Sequence, residues 1–476
     1  MNKKINRTKI VATLGPATEK AGVLESMFKA GLAICRINFS HGNYDAVLSS
    51  IKMIRELNQK LNCHVGILGD LQGPKLRIGE VENNSVLLVA GTTIDIITRE
   101  CIGTASKVYI TYPQFPLDVK SGELVLIDDG KIHLRVLETN GKDEVRCEVI
   151  SGGKLSSRKG VNLPNTKISL PCLTNKDLRD LDFALEHEFD WIGLSFVRNV
   201  TDIVELKEII RQKGKNQRVI AKIEKPEAIR DIQNIIEVSD GIMVARGDLG
   251  VEMPIEQVPM LQKMIVQKCI NTNKPVIIAT QMMESMIENF TPTRAEVNDV
   301  ANAVMDGADA VMLSAETSVG KYPVKVIEIM QRTITSVEEH PGIYYRENTP
   351  VLKTNTYLTD SICYSACTLA KQAGVSAILS MTHSGYTAFR LASHRPAAMI
   401  YIFTDNRSLL TALSLVWGVQ GVYYNKYEST DQTILDLKNT LKEQGVVKAD
   451  DLVINIASMP MKEKGRTNML KLSQIV

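Results

Sequence analysis

The sequence predicts an α/β protein: a (β/α)8 TIM barrel, an all-β lid domain inserted into it, and a second α/β domain at the C-terminal end. Three observations predict it. Eight short β-rich runs alternate with helix-length amphipathic segments, the pattern of a parallel sheet with crossover helices. Each run ends in polar residues, as barrel strands do at their functional face. The alternation breaks once, from about Gln72 to Leu170, where short β-like runs and turns replace the helices.

The eight runs, in order, are KIVATLG (9–15), AICRINFS (33–40), HVGILGD (64–70), WIGLSFV (191–197), RVIAKIE (218–224), GIMVARGD (241–248), PVIIATQ (275–281) and AVMLSAE (310–316). Between them, segments such as 200–213 and 254–271 have helical period. The polar ends are Thr13, Asn38 with Ser40, Asp70, Ser195, Glu224, Asp248, Thr280 and Glu316. An open doubly wound sheet is the competing architecture, but it would not need all eight ends to be functional in type.

The interrupted interval carries turn signals at Asn83-Asn84, Asp128-Asp129-Gly130 and Asn140-Gly141. An insertion after the third strand would overhang the barrel mouth, where a lid belongs. From Thr356 a second α/β pattern begins, with strands expected at 377–383, 399–405, 422–425 and 452–458 in a mostly parallel sheet. The join, 338–353, holds His340-Pro341-Gly342 and Pro350 and reads as a linker. The expected domains are therefore 1–71 with 171–340 for the barrel, 72–170 for the lid and 354–476 for the C-terminal unit.

Composition excludes several classes. The chain has 476 residues, 44% hydrophobic and 23% charged, which is ordinary for a soluble globular protein. A net charge of +2 offers no field for nucleic acid or anionic lipid. Neither a secretory signal nor a bilayer-spanning run is visible. The eight cysteines are dispersed and form no CxxC pair, which argues against zinc or a disulfide framework and for reduced thiols in the cytoplasm.

The chemistry gathers at the fifth and sixth runs. Lys222 and Glu224 are two apart on a strand and share a face; Arg246 and Asp248 repeat the spacing. Two carboxylates, a lysine and an arginine are therefore expected to converge at neighbouring strand ends, as a site for a magnesium ion and a phosphorylated anion would be built. Glu224 and Asp248 are hard oxygen ligands suited to Mg2+ (or Mn2+), which takes one or two carboxylates and completes its shell with substrate oxygens and water. A lysine among isoleucine and alanine needs a partner, and Glu224 supplies one; a structural ion pair is the plain alternative. Gly247 allows close approach of the backbone, so amides near Gly247-Asp248 could grip a carboxylate. Arg36, Asn38 and Ser40 share one face of the second strand and suit a phosphate and a cation. His41 follows. Asp70 ends the third strand before Gly73-Pro74, Lys75 and Arg77; surface charge alone would account for those two cations. Thr280 offers a hydroxyl, and Ser314 with Glu316 could move or organise a proton. There is no GxxxxGK[ST] loop and no GxSxG elbow. The inventory supports phosphoryl transfer by positioning and electrostatics. An aldolase-like or enolase-like proton abstraction could use similar parts.

The motifs TKIVATLGPAT (8–18), CRINFSHG (35–42), GDLQGPKLR (69–77), KGVNLP (159–164), AKIEKPEAI (221–229), DGIMVARGDLGVE (240–252), ATQMMESM (279–286), PTRAEVNDVANAV (292–304) and DAVMLSAETSVGKYP (309–323) resemble those of the pyruvate kinase family, in family order and over nearly the whole chain. The resemblance implies transfer of the phosphoryl group of phosphoenolpyruvate to ADP, giving ATP and pyruvate, in the last step of glycolysis. It implies that Lys222 stabilises the phosphoryl group in flight and the enolate left behind, and that Arg36 binds the same group. It implies Mg2+ on Glu224 and Asp248, and a substrate carboxylate seated by Thr280 and the Gly247-Asp248 amides. Thr280 with the Ser314–Glu316 region would support enolate protonation. Asn38, His41, Arg77 and Lys159 match positions facing the nucleotide or metal, with Lys159 brought in by the lid.

One departure bears on cofactors. Many members of the family carry an acidic residue where this chain has Lys75, and need K+. Asn38, Ser40 and Asp70, the family's side-chain ligands for K+, are kept. A fixed ammonium in place of the mobile ion contributes on the order of 1–4 kcal/mol at a few Å, so activity without K+ is expected. In the C-terminal domain the loop with Thr382, Ser384, Gly385 and Thr387 has the family's TxSGxT form, which binds the phosphate of an allosteric effector; an N-cap in a polar loop is the alternative. A homotetramer is expected from the family. Two other functions remain as rivals: a Mg2+-dependent carbon–carbon lyase acting on phosphoenolpyruvate or a 2-oxo acid, and a phosphometabolite sensor without catalysis. Neither would need the ADP contacts of Lys159 together with Lys222, Glu224, Asp248 and Thr280.

Overall fold

The computed structural model of the chain describes residues 5–20, 22–40, 43–346, 348–352, 354–426, 429–459 and 466–476. Eight parallel strands close into a barrel: Lys9–Thr13, Ile34–Asn38, Gly66–Asp70, Trp191–Leu194, Arg218–Ile223, Gly241–Ala245, Val276–Ala279 and Ala310–Leu313. All eight lie in runs marked by the sequence. The first strand closes the ring by pairing with both the second and the eighth. Amphipathic helices such as Val200–Gln212, Val258–Asn271 and Pro323–Glu338 surround it.

The strand residues divide between two cores. Ile10, Ala12, Cys35, Ile37, Ala221 and Ile223 pack outward against the helices. Val11, Ile34, Leu68, Ile220, Met243 and Ile277 fill the barrel interior. With a side-chain period of two, the next inward positions are Thr13, Arg36, Asp70 and Lys222. All four are buried. An apolar layer at mid-barrel thus supports a polar and charged layer at the mouth.

Strand pairing stops sooner than the β-rich runs do. Ser195, Glu224, Asp248, Thr280 and Glu316 all lie beyond the strands, and Asp248 and Glu316 sit in the short helices Arg246–Glu252 and Ala315–Ser318. The apolar side chains that hold the sixth and eighth strands in the ladder run out at Ala245 and Leu313, and the backbone turns into a helix. The spacing of Arg246 with Asp248, and of Ser314 with Glu316, is therefore not strand parity.

Between the third and fourth barrel strands lies a six-stranded sheet in the order Val161–Asn162, Leu124–Ile127, Ile132–Thr139, Glu144–Ser151, Thr93–Ile97 and Lys107–Tyr109, with a separate pair, Gly153–Ser156 and Ser85–Leu88. Its own core includes Ile94, Ile96, Val125, Leu134 and Val145. The marked turns are present: Asn83, Asn84, Asp128, Asp129, Gly130 and Gly141 all adopt positive φ.

The C-terminal sheet runs Val419–Tyr423, Met399–Thr404, Ala377–Met381, Leu452–Ala457 and Met469–Gln474, parallel except for the last strand. The strand expected at 422–425 begins instead at Val419, because Gln420 and Gly421 pair with Tyr401 and Ile402. The edge strand Met469–Gln474 had no sequence signal; its ladder partner makes it a strand. This sheet's loops meet the N-terminal ends of the barrel strands. Lys9 Nζ donates to the Val419 carbonyl at 2.9 Å and Trp191 Nε1 to the Ala412 carbonyl at 3.1 Å. No helix among the described residues is long and apolar enough to cross a membrane.

Candidate active site

Four charged side chains of alternating sign form a buried chain across the barrel mouth. Arg36 reaches Asp70 Oδ2 through Nε at 2.7 Å and Nη2 at 2.6 Å, and its Nη1 donates to Thr13 Oγ1 at 2.8 Å. Asp70 Oδ1 lies 3.2 Å from Lys222 Nζ, which also meets Glu224 Oε1 at 3.0 Å and donates to Ser195 Oγ at 2.6 Å. Each N–H of the ammonium thus has an acceptor. Glu224 Oε2 accepts from the Phe196 amide at 2.8 Å.

Electrostatics follow from this packing. Burial alone would pull the Lys222 ammonium down, but Asp70 and Glu224 hold it above the ordinary lysine value. Asp70 is held below the usual carboxylate range: burial works against its charge, and Lys222 and Arg36 outweigh it. Glu224 is raised, by burial first and by the neighbouring Asp248 charge as well, against the pull of Lys222. A carboxylate disfavoured by burial and by a second acid is one that a further cation would stabilise.

Asp248 stands in the first turn of the helix after the sixth strand, where a carboxylate suits the positive end of the helix. It lines a cleft beneath the inserted domain, shared with Lys75, Asn162, Phe196 and Lys225. Gly247 packs against Thr280: a Cβ there would lie 3.3 Å from Thr280 Oγ1, and its amide donates to that oxygen at 2.7 Å. Thr280 has φ +69, which a β-branched residue adopts only when its surroundings over-determine it. Arg246 is part of those surroundings. The expectation that its guanidinium converges on an anion is corrected here. Nη2 donates to the Thr280 carbonyl at 2.7 Å, and Nη1 pairs with Asp299 at 2.7 Å. Because Arg246 opens a helix, its side chain turns away from the mouth and braces the seventh strand's exit.

Glu316 is also a brace. Its buried carboxylate accepts from the Ser314 amide at 2.6 Å and the Met283 amide at 3.3 Å, joining the loops after the seventh and eighth strands. Burial raises it above the ordinary glutamate value. Ser314 is half-buried beside it.

Asn38 ends the second strand, and its Oδ1 accepts from the Ser40 amide at 3.1 Å. His41 lies outside the described residues. Arg77 and Lys159 belong to the inserted domain and are brought together by an isolated bridge between Arg77 and Gly160. Arg77 Nη1 donates to the Arg158 carbonyl at 3.0 Å, and Lys159 pairs with Asp128 at 2.8 Å. Lys75 is exposed within the cleft. In the C-terminal loop the Thr382 hydroxyl accepts from the Gly385 amide at 3.1 Å and Ser384 Oγ from the Tyr386 amide at 3.4 Å. Thr387 is buried, with its hydroxyl 3.1 Å from that of Thr467.

Sequence reasoning gave Asp70 no part beyond its family match as a K+ ligand; the structure makes it the hub between Arg36 and Lys222. Thr13 and Ser195 were noted only as polar strand ends. Inward parity was the available signal for Thr13 and Asp70, but not the identity of their partners. Asp299 carried no signal, because it lies on the helix Arg294–Asp306, far in sequence from Arg246.

Comparisons with known proteins point to one family. Residues 5–327 match the family model described as pyruvate kinase, barrel domain, and residues 360–473 match pyruvate kinase, alpha/beta domain. The chain is 42% identical to a pyruvate kinase of Corynebacterium efficiens over 464 residues, covering 98% of this chain and 97% of that one. It is 40% identical to a pyruvate kinase of Mycobacterium tuberculosis over 469 residues, covering 98% of each. A crystal structure of a pyruvate kinase from Cryptosporidium parvum superposes with a TM-score of 0.92 at 33% identity, covering 99% of this chain and 96% of that one.

Proposed function

The chain belongs to the pyruvate kinase family and is a phosphotransferase, and from that premise we propose that it moves the phosphoryl group of phosphoenolpyruvate to ADP through the residues at the barrel mouth, giving ATP and pyruvate in the last step of glycolysis. The observation that carries this reading is Lys222: a buried ammonium, fixed by Asp70, Glu224 and Ser195, at the open end of the barrel. Fixed charges aimed at developing charge are the main source of catalysis in phosphoryl transfer. Lys222 stabilises the phosphoryl group in flight and the enolate oxygen left behind. Arg36, held by Asp70 and Thr13, turns its remaining N–H groups to the same phosphoryl group. Thr280 and the Gly247-Asp248 backbone seat the carboxylate. Thr280 and Ser314, with Glu316 fixing their loops, support protonation of the enolate. Arg77 and Lys159 of the inserted domain, with Asn38 and His41 of the barrel, face the nucleotide; closure of the domain over the cleft brings the first two in.

Glu224 and Asp248 would hold Mg2+ (or Mn2+). The donor set fits: two hard oxygen ligands, one of them raised by burial and by the other's charge. Among the described residues no group of three or more acidic, histidine or cysteine side chains is set to hold a metal. Two carboxylates, with substrate oxygens and water completing the shell, match the habit of magnesium. When bound, the ion neutralises charge on substrate oxygens.

K+ is not required in this reading. Both oxygens of Asp70 already face cations, Arg36 and Lys222, and Lys75 adds a fixed charge to the cleft. The loop of Thr382, Ser384, Gly385 and Thr387 seats the phosphate of an allosteric effector, though the Thr382 and Ser384 hydroxyls also cap the loop's own amides. The enzyme works as a cytoplasmic homotetramer, with domain limits at 1–71 and 171–340, 72–170, and 354–476.

A coupled assay tests the reaction. Pyruvate should appear from phosphoenolpyruvate only when both ADP and Mg2+ are present. Release without ADP would replace this reading with a hydrolase or a lyase. Titration with sugar monophosphates, fructose 1,6-bisphosphate and AMP tests the loop: a wild-type response that survives Thr382→Ala places the effector elsewhere.

A further inference from the structure

The loop after the fourth barrel strand supplies Ser195 to Lys222, and it touches a second region as well. Toward the mouth, Ser195 Oγ accepts from Lys222 Nζ at 2.6 Å, and the next amide, that of Phe196, donates to Glu224 Oε2 at 2.8 Å. Consecutive residues therefore hold the lysine of the fifth strand and the acid just beyond its end. Toward the inserted domain, the same loop grips both chain connections. The outgoing one passes so close that a Cβ on Gly73 would lie 2.8 Å from Phe196 Cδ2 and 3.2 Å from Ser195 Cβ. The returning one is held by Arg198, whose Nη1 donates to the carbonyls of Ile168 at 3.0 Å and Leu170 at 2.9 Å. Cys172 Sγ adds a weak bond to the Ser195 carbonyl at 3.3 Å. Phe196 has φ +55, a conformation that a bulky residue keeps only under constraint from its neighbours.

One hydroxyl joins the two sides. Ser195 Oγ donates to the carbonyl of Leu71, where the chain leaves the barrel, at 2.7 Å. A serine hydroxyl has one proton and two lone pairs. While Leu71 takes the proton, a lone pair faces the ammonium. If the outgoing connection withdraws that carbonyl, the rotor is free to turn its proton to Asp70 Oδ1, 3.5 Å away, and the Leu71 bond no longer fixes the direction of the lone pair that Lys222 uses.

We propose that Ser195 is a positioning residue for Lys222 and that the Ser195–Arg198 loop transmits the placement of the inserted domain to the lysine and to Glu224. The assignment rests on Lys222 acting on the phosphoryl group, as read above. Domain orientation and catalytic geometry are then set together: the catalytic lysine is held in its working position only when both connections lie as they do here.

A double-mutant cycle on the full-length protein tests it, with Ser195→Ala, Arg198→Ala and the double variant assayed for pyruvate formation from phosphoenolpyruvate and ADP. Ser195→Ala should lower kcat by about 10- to 100-fold, the usual worth of a hydrogen bond to a charged group. KM for phosphoenolpyruvate should move by less than about threefold, since the bond matters in the transition state. Arg198→Ala should lower kcat less, and the double variant should be no slower than Ser195→Ala alone. Circular dichroism checks folding, and Arg198→Lys takes the place of Arg198→Ala if the latter does not fold. Effects that multiply in the double variant, or wild-type kcat in Ser195→Ala, overturn the proposal while leaving the phosphotransfer reading intact. Absence of ADP-dependent pyruvate formation in the unaltered protein would overturn both.

Discussion

At the mouth of the barrel Arg36, Asp70, Lys222 and Glu224 are buried against one another; at its opposite end the buried Asp309, Glu338 and Lys9 and the half-buried Asp190 lean mainly on backbone partners. Asp309 accepts from the Trp417 amide at 3.1 Å and the Val276 amide at 3.1 Å, besides Arg395 at 2.9 Å. Glu338 accepts from the Arg7 amide at 3.0 Å and the Thr8 amide at 2.7 Å. Asp190 accepts from the Ile67 amide at 2.7 Å and from the Thr411 hydroxyl. Lys9 donates to one carbonyl, and burial pulls it down to about 8. Backbone partners are fixed by the fold and cannot be exchanged. A charge held by another charge can trade that partner for a ligand's. The mouth is therefore built to bind, and the other end to join two domains, although both bury ions.

The strongest way to break this contrast is Lys222→Met. Turnover should fall by about 10³-fold, the cost of removing a main electrostatic donor, with phosphoenolpyruvate binding largely kept. A kcat within about tenfold of wild type would refute the role given to the mouth. Next is Asp309→Ala at the opposite end. It strands the buried Arg395 without a carboxylate and should cost about 3 kcal/mol or more of stability, read by urea unfolding. The folded fraction should keep its kcat, and a selective loss of turnover would show that this end also serves the chemistry.

Asp190 sharpens the contrast through pH. Burial pushes it up to about 6, against the pull of its Thr411 and Ile67 bonds. The folded state then holds a proton that the unfolded state has released. The contribution is favourable below about pH 4 and is lost as pH rises through about 6, on the order of 2–3 kcal/mol. Asp190→Asn should abolish that slope in unfolding experiments; an unchanged slope assigns it to other groups. The smallest effect concerns K+. Replacing it with a bulky organic cation at constant ionic strength should change the rate by less than about twofold if the Lys75 ammonium supplies the charge that K+ would bring. A large, saturable activation by K+ would show that Lys75 does not substitute for it.

Much of the mouth was legible in the sequence because strand parity is local. Ile34 followed by Arg36, Leu68 by Asp70, and Ile220 by Lys222 each place a charge one inward position above an apolar one. Parity failed where the strand had already ended. Arg246 and Asp248 sit in a helix, so Arg246 turned out to brace Thr280. The edge strand Met469–Gln474 was missed because its residues are half polar and only its partner makes it β.

By itself the sequence determined the eight strands, the inserted β-domain, the C-terminal α/β unit and the residue types at the barrel mouth. Those depend on periodicity and turn chemistry, which act over a few residues. Only the tertiary structure decided who meets whom: that Asp70 lies between Arg36 and Lys222, that Ser195 links Lys222 to Leu71, and that Asp309 reaches Trp417. Such pairings join residues far apart in the chain. They are fixed by closure of the barrel and docking of its neighbours, and no local pattern encodes them.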